Sequence, residues 1–342
     1  MSLKKIAKEL GLSLTTVSRA LNGYPEVAQS TRQAVMDAAA RLQYQPDARA
    51  RSLALGRADA IGMVFPITPG DLGDLMFLEV AAAMSERLSQ DGLDLLIISA
   101  TAQDELAAYR RTISSRHVAG FVVARTRVHD ERLLLLQAHD VPFVAYGRTS
   151  ALQTPYAWVD FDNVAGSSMA AERLLKFGHT RIGYLGAPAG YNFAALRYQG
   201  FCDTLLAHDI PLFQSAVLRD ALDRRSGYLA MQRMLALPEP PTAVLVDNHL
   251  AGAGALHAVL QAGLVPGRDL SLIFYDGMPT DSVLDKGVTA ISQPTPSLVG
   301  LVLAELMLAR LKGEPIEKLH RLRMPVLIPG DSDGPVTEFR RM

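Results

Sequence analysis

From Ala60 onward, short apolar runs alternate with stretches of helical periodicity, and this alternation restricts the fold more than any other feature of the 342 residues. The runs are AIGMVF, DLLIIS, GFVVAR, PFVAYG, RIGYLG, TAVLVD and LSLIFYD. Helical spacing occupies 77–91, 104–116, 130–139, 165–177, 194–209, 224–236 and 250–263. Strands that alternate with helices form βαβ units and parallel sheets. Runs that are apolar throughout predict strands covered on both faces. Some 280 residues exceed what one such sheet holds, so two lobes with a cleft are expected. Ligands of these folds sit beyond the carboxyl ends of the strands.

The first 45 residues have a different texture. Residues 2–10 read as a helix with Ile6, Ala7 and Leu10 on one face, and Gly11 breaks it. Ser13 can cap a second helix that ends near Leu21, before Asn22-Gly23. A third starts at Ser30, with Ala34, Val35, Ala38 and Leu42 expected inward. Two helices joined by a tight turn, with a supporting third, form a helix-turn-helix. The second helix, in LSLTTVSRALN, carries more hydroxyls than a core needs. Residues 1–60 hold nine lysines and arginines against five acids, a net +4, while the remainder carries −5. A basic head on an acidic body points toward a polyanion partner. Between them, YQPDARARSLALGRA offers a helix of about nine residues between Pro46-Asp47 and Gly56. A helix that short forms only when something packs against it.

Several classes drop out. Cys202 stands alone, which excludes an intrachain disulfide and fits a reducing compartment. There is no run of about 18 apolar residues and no leader-like apolar segment, so a soluble cytoplasmic protein is expected. No phosphate-loop, dinucleotide, zinc-protease or nucleophile-elbow motif occurs, so no enzyme and no cofactor is expected. His249 lacks partners at metal-ligand spacing, and no metal is expected.

Taken together, KKIAKELGLSLTTVSRALNG, YQPDARARSLA, GHTRIGYLG, LRYQGF, DLSLIFYDG and TAISQP resemble the LacI/GalR family of bacterial transcriptional regulators from residue 3 to about 330. The resemblance implies an N-terminal all-α helix-turn-helix head over 1–45 and a hinge helix over 46–58. It implies an α/β two-lobed core like the periplasmic sugar-binding proteins over 59–342, with parallel sheets. Lobe 1 would hold about 60–160 and 293–324, lobe 2 about 161–292 and 325–342. A homodimer on a palindromic double-stranded operator follows, with a mono- or oligosaccharide effector between the lobes.

Residue roles implied by the resemblance are specific. Leu14, Thr15 and Arg19 would face base edges, Arg19 with two bonds to a guanine and Leu14 with apolar contact only. Thr16, Ser18 and Asn22 would take phosphates. Leu53 would wedge into the minor groove, with Ala50 allowing close approach. Arg197, Asp276 and Asn248 match effector-binding positions, against surface ion pair, helix cap and turn as plainer readings. Arg125 and Arg127 after GFVVA, and Arg148 after PFVAYG, are candidates for the cleft floor, with ion pairing as the competing role. Phe77 and Phe193 are candidate stacking faces or ordinary core, and Gln293 is a ligand contact or a hinge residue. ARTR, YGR and NFAALR resemble the branch that controls α-glucosides and related oligosaccharides. A nucleobase, sugar phosphate or protein effector, and corepression in place of induction, stay open.

Overall fold

The structure, a computed structural model, describes residues 3–21, 24–42, 44, 58–66, 74–101, 103–150, 152–278 and 287–337. The predicted hinge residues Ala50 and Leu53, and the phosphate candidate Asn22, lie outside the described residues. Contacts divide the molecule into two units, 1–59 and 60–342.

The first unit holds three helices, α1 (Leu3–Leu10), α2 (Leu14–Leu21) and α3 (Gln29–Arg41). Their apolar stripes meet in a small core of Ile6, Ala7, Val17, Ala20, Val27, Val35, Ala38 and Ala39. Gly11 adopts φ +63° at the turn, a conformation that costs glycine nothing. Ser13 then caps α2 by accepting from the Thr16 amide at 3.0 Å. Ala34 was expected inward but is exposed. In α3 the buried stripe is Val35, Ala38 and Ala39, which fits three helices meeting at a point.

The second unit contains two six-stranded sheets. The first has the order β11-β5-β4-β3-β1-β2, with β1 (Ala60–Pro66), β2 (Asp94–Ala100), β3 (Gly120–Val123), β4 (Phe143–Tyr146), β5 (Ala157–Phe161) and β11 (His320–Arg323). The second has the order β12-β10-β9-β8-β6-β7, with β6 (Ile182–Leu185), β7 (Val217–Leu218), β8 (Ala243–Val246), β9 (Ser271–Tyr275), β10 (Ala290–Ser292) and β12 (Val326–Ile328). Pairings are parallel throughout except β10 with β12. The chain therefore passes between the sheets three times, after β5, after β10 and after β11. Central strands such as β3, β6 and β8 are buried at every residue. The run DLLIIS departs from that expectation: β2 is an edge strand, and Leu96 and Ile97 remain 41% and 39% exposed.

Helices cover both faces. In the first lobe α4 (Leu75–Ser89) packs on α11 (Pro296–Leu311), a helix the periodicity reading did not single out. In the second lobe α9 (Arg224–Leu235) lies against α10 (His249–Gln261). Gly254 lies inside α10, where a Cβ would meet the Arg224 carbonyl at 1.8 Å. Gly254 thus serves close packing of α9 on α10, while Gly252 makes room for the Phe274 ring of β9. The remaining helices of this unit are α5 (Glu105–Ser115), α6 (Glu131–Ala138), α7 (Asn163–Lys176) and α8 (Asn192–Ala207).

Candidate functional site

Strand ends and helix starts from both lobes converge on one cavity of about 190 Å³. Phe65, Arg125, Gly147 and Asp160 reach it from the strands of the first lobe, and Phe77 from the first turn of α4. Asn248 and Asp276 reach it from strands β8 and β9 of the second lobe, with Phe193 and Arg197 from α8. Of the predicted effector residues, the cavity brings together Phe77, Arg125, Phe193, Arg197, Asn248, Asp276 and Gln293.

Arg125 and Asp276 occupy matching places, each just after a central strand of its lobe. Both adopt left-handed backbone, with φ 51° and φ 64°. Left-handed backbone costs a non-glycine residue about 1 kcal/mol, and such strain collects at binding sites. Arg197 is 5% exposed. Its Nε donates to Asn163 Oδ1 at 2.8 Å, and one Nη donates to the Asp247 carbonyl. Its guanidinium lies 3.5 Å from the Tyr275 ring centre and 3.7 Å from Asp276 Oδ2. Asp276 Oδ1, the other oxygen of that carboxylate, is buried with no hydrogen-bond partner among the described residues, and so is Gln293 Nε2. An unmade bond at a buried polar atom costs about 1–3 kcal/mol. Both residues line the cavity, so an acceptor and a donor without partners belong to its wall.

Apolar surface completes the cavity. Phe65 and Phe77 stack with centroids 4.0 Å apart, and the Arg125 guanidinium lies 4.6 Å above Phe65. Phe193 stacks on Tyr191 on the opposite lobe and faces Arg197 at 4.9 Å.

Three predicted residues have their polar groups already engaged. Asn248 lines the cavity but caps α10, accepting from the Ala251 amide at 2.9 Å. Its Nδ2 donates to the Ala221 carbonyl and to Asp247. Arg127 does not line the cavity, because its guanidinium neutralises the buried Glu105. Arg148 does not line it either, because its Nε donates to Asp160 at 2.7 Å and its plane lies over Trp158. For the two arginines a buried carboxylate needs a counter-ion, Glu105 behind the cleft wall and Asp160 in it.

Other residues emerged only from the structure. Asp74 caps α4 by accepting from the Phe77 amide, and also accepts from His249 Nε2 at 3.2 Å across the two lobes. Burial alone would raise the Asp74 carboxyl; His249, the Phe77 amide and Arg125 outweigh it and hold it below the usual value. Asp247 lies under Arg197, buried, with its carboxyl pushed up by that burial. Asp130 and Glu105 bind the buried Arg132, which donates to the Arg125 carbonyl at 3.0 Å. The segment that carries Arg125 is also tied to the other lobe. Asn192 donates to the Thr126 carbonyl and Val128 to the Gly190 carbonyl, both at 2.9 Å. A capping aspartate before LMFLEV was a readable signal for Asp74, but its partner 175 residues away was not.

In the first unit, α2 presents Leu14 (44% exposed), Thr15 and Arg19 outward, while Val17 and Ala20 are buried. Ser18 is half-buried. The Thr16 hydroxyl shares a 2.8 Å bond with Ser13 and so belongs partly to the cap. Arg19 pairs with Glu26 at 3.7 Å, both well exposed. A pair of that kind is worth about 0–1 kcal/mol, so Arg19 can exchange it for a stronger partner.

Comparison with known proteins agrees with this architecture. A profile described as the periplasmic binding proteins and sugar binding domain of the LacI family matches residues 58–327. A second, described as bacterial regulatory proteins of the lacI family, matches residues 2–47. The chain belongs to the LacI family. The HTH-type transcriptional regulator RafR of Escherichia coli is 37% identical over 335 residues, covering 97% of this chain and 98% of the relative. The solved structure of the CelR transcriptional regulator–cellobiose complex aligns with a TM-score of 0.71 at 25% identity, covering 97% of this chain and 99% of that one. The lac repressor dimer bound to operator and the anti-inducer ONPF gives a TM-score of 0.80 at 25% identity, over 98% and 99%. Among the described residues, no helix is long and apolar enough to cross a membrane.

Proposed function

We propose that this LacI-family protein is a sequence-specific DNA-binding repressor of carbohydrate-utilisation genes. A small sugar bound between the lobes of the core changes its operator affinity. The observation that carries this reading is one cavity that gathers Arg197, Asp276 and Gln293 with the rings of Phe65, Phe77 and Phe193, where Asp276 Oδ1 and Gln293 Nε2 have no hydrogen-bond partner among the described residues. Sugars offer hydroxyls that both donate and accept, together with a C–H face that lies on aromatic rings. The likeness to the cellobiose complex of CelR supports the same reading. We assign effector contact to Asp276, Arg197, Gln293, Arg125, Phe77 and Phe193. Asn248, Arg127 and Arg148 hold the walls in place. An α-glucoside or related oligosaccharide is the effector class we favour.

Base contacts fall to Leu14, Thr15 and Arg19, with Thr16, Ser18 and Asn22 on phosphates and Ala50 and Leu53 of the hinge in the minor groove. Domain limits of 1–45, 46–58 and 59–342 serve this division. A homodimer fits the lac repressor likeness and the apolar surface at Leu75, Leu78, Leu96, Ile97, Leu298 and Leu301. The protein acts in the cytoplasm and turns over no substrate. A thermal-shift screen with neutral mono- and disaccharides tests the effector reading. At least one sugar should raise the core's melting temperature in the wild type and fail to do so in Asp276→Ala. Stabilisation by a nucleobase and by no sugar would replace the reading.

A further inference from the structure

Among the described residues, three carboxylates and three basic side chains line the effector cavity: Asp74, Asp160, Asp276, Arg125, Arg197 and His249. Each cation among them already faces a carboxylate. Arg197 lies 3.7 Å from Asp276, Arg125 3.8 Å from Asp74, and His249 3.2 Å from Asp74. Asp160 is matched by Arg148 from behind the wall. An anionic ligand needs a guanidinium or ammonium in excess, and this cavity supplies none among the described residues. A neutral polyol needs carboxylate acceptors in fixed positions, and the cavity supplies them on both walls.

Asp74 is the fixed acceptor of the first lobe. Its Oδ1 is held twice, by the Phe77 amide and by His249 Nε2, each at 3.2 Å. Its Oδ2 has no hydrogen bond among the described residues and sits beside Arg125. The α4 N-terminus further favours a negative charge there. His249 stands in the first turn of α10, in the other lobe, so the bond spans the cleft. We propose that Asp74 is a specificity-determining effector contact, positioned by His249, that selects a neutral carbohydrate over a phosphorylated or carboxylated one. A hydroxyl donated to a carboxylate makes a strong charge-assisted bond, while a phosphate or carboxylate in its place meets like charge. This inference rests on the carbohydrate reading given above.

The test is titration calorimetry of the full chain with maltose, sucrose, cellobiose and lactose, and with glucose 6-phosphate and galacturonate. At least one neutral sugar should bind more than tenfold tighter than both anions. Asp74→Ser keeps a capping hydroxyl for α4 but cannot reach His249 or the ligand. It should weaken that sugar more than tenfold and narrow its margin over the anions, a ratio that a merely structural role would not move. His249→Ala should weaken binding several-fold, and His249→Gln, which retains a donor, should recover most of it. An anion that binds as tightly as any neutral sugar overturns the proposal and leaves the carbohydrate reading standing. Neutral-sugar affinity unchanged in Asp74→Ser overturns it as well. If no sugar of either charge binds, the carbohydrate reading falls and takes this inference with it.

Discussion

Replacing Arg197 with alanine should do more than remove an effector contact. The side chain is buried and spans α7, β8 and β9 through Asn163, the Asp247 carbonyl and Asp276. Each hydrogen bond from a charged donor is worth about 1.5–3 kcal/mol. Removing one member of a buried ion pair costs about 3–5 kcal/mol, because the other charge stays behind unpaired. These effects overlap, so a loss of about 4 kcal/mol is expected from a domain stability of about 5–15 kcal/mol. The core of Arg197→Ala should remain folded at room temperature. Its urea midpoint should fall by about 1–2 M, given a slope of about 2–3 kcal/mol per M. Operator binding, measured by fluorescence anisotropy on labelled duplex, should persist, while any response to sugar disappears. An unfolding midpoint within about 0.3 M of wild type, for the same slope, would show that the buried bonds of Arg197 carry no such energy. Lost DNA binding in a folded variant would contradict the separation of reading head from effector core.

Two further outcomes follow from other parts of the chain. Arg19→Ala should weaken specific operator binding by about 1–3 kcal/mol and leave non-specific DNA binding little changed; equal losses on both DNAs would make Arg19 a phosphate contact. His179 is buried between Thr242, Ser271 and the Gly334 carbonyl, and its burial lowers its pKa below 6.5. The unfolded chain therefore binds a proton that the folded one refuses. This stability is fully present above about 6.5 and is lost as pH falls below it. Thermal melts from pH 8 to 5 should show that decline, and a smaller one in His179→Gln; identical slopes would remove His179 as the cause.

The βαβ alternation was legible because parallel strands, buried on both faces, must be apolar throughout. The head was legible because three short helices need only local signals: Gly11 at φ +63°, Ser13 at a cap, and Val17 in the core. Arg197 and Asp276 stood out because each follows a strong local landmark. Arg127 and Arg148 misled for a physical reason. Sequence shows that a charge follows a strand, but not that Glu105 or Asp160 lies buried behind it. Asp74 and His249 were out of reach because their bond depends on how two lobes close, which no local pattern encodes. The edge position of β2 was equally hidden, since an exposed edge strand and a buried strand can carry the same apolar run.

The central claim is coupling between the cleft and the head. Its most direct test is the operator affinity of the full chain, measured at fixed salt with and without saturating amounts of each neutral sugar. Allosteric coupling of about 1–3 kcal/mol predicts a change of about 5–150-fold for at least one sugar. The same sugar should leave the affinity of Asp276→Ala unmoved. Operator affinity identical in the presence of a sugar that demonstrably fills the cleft would contradict the account.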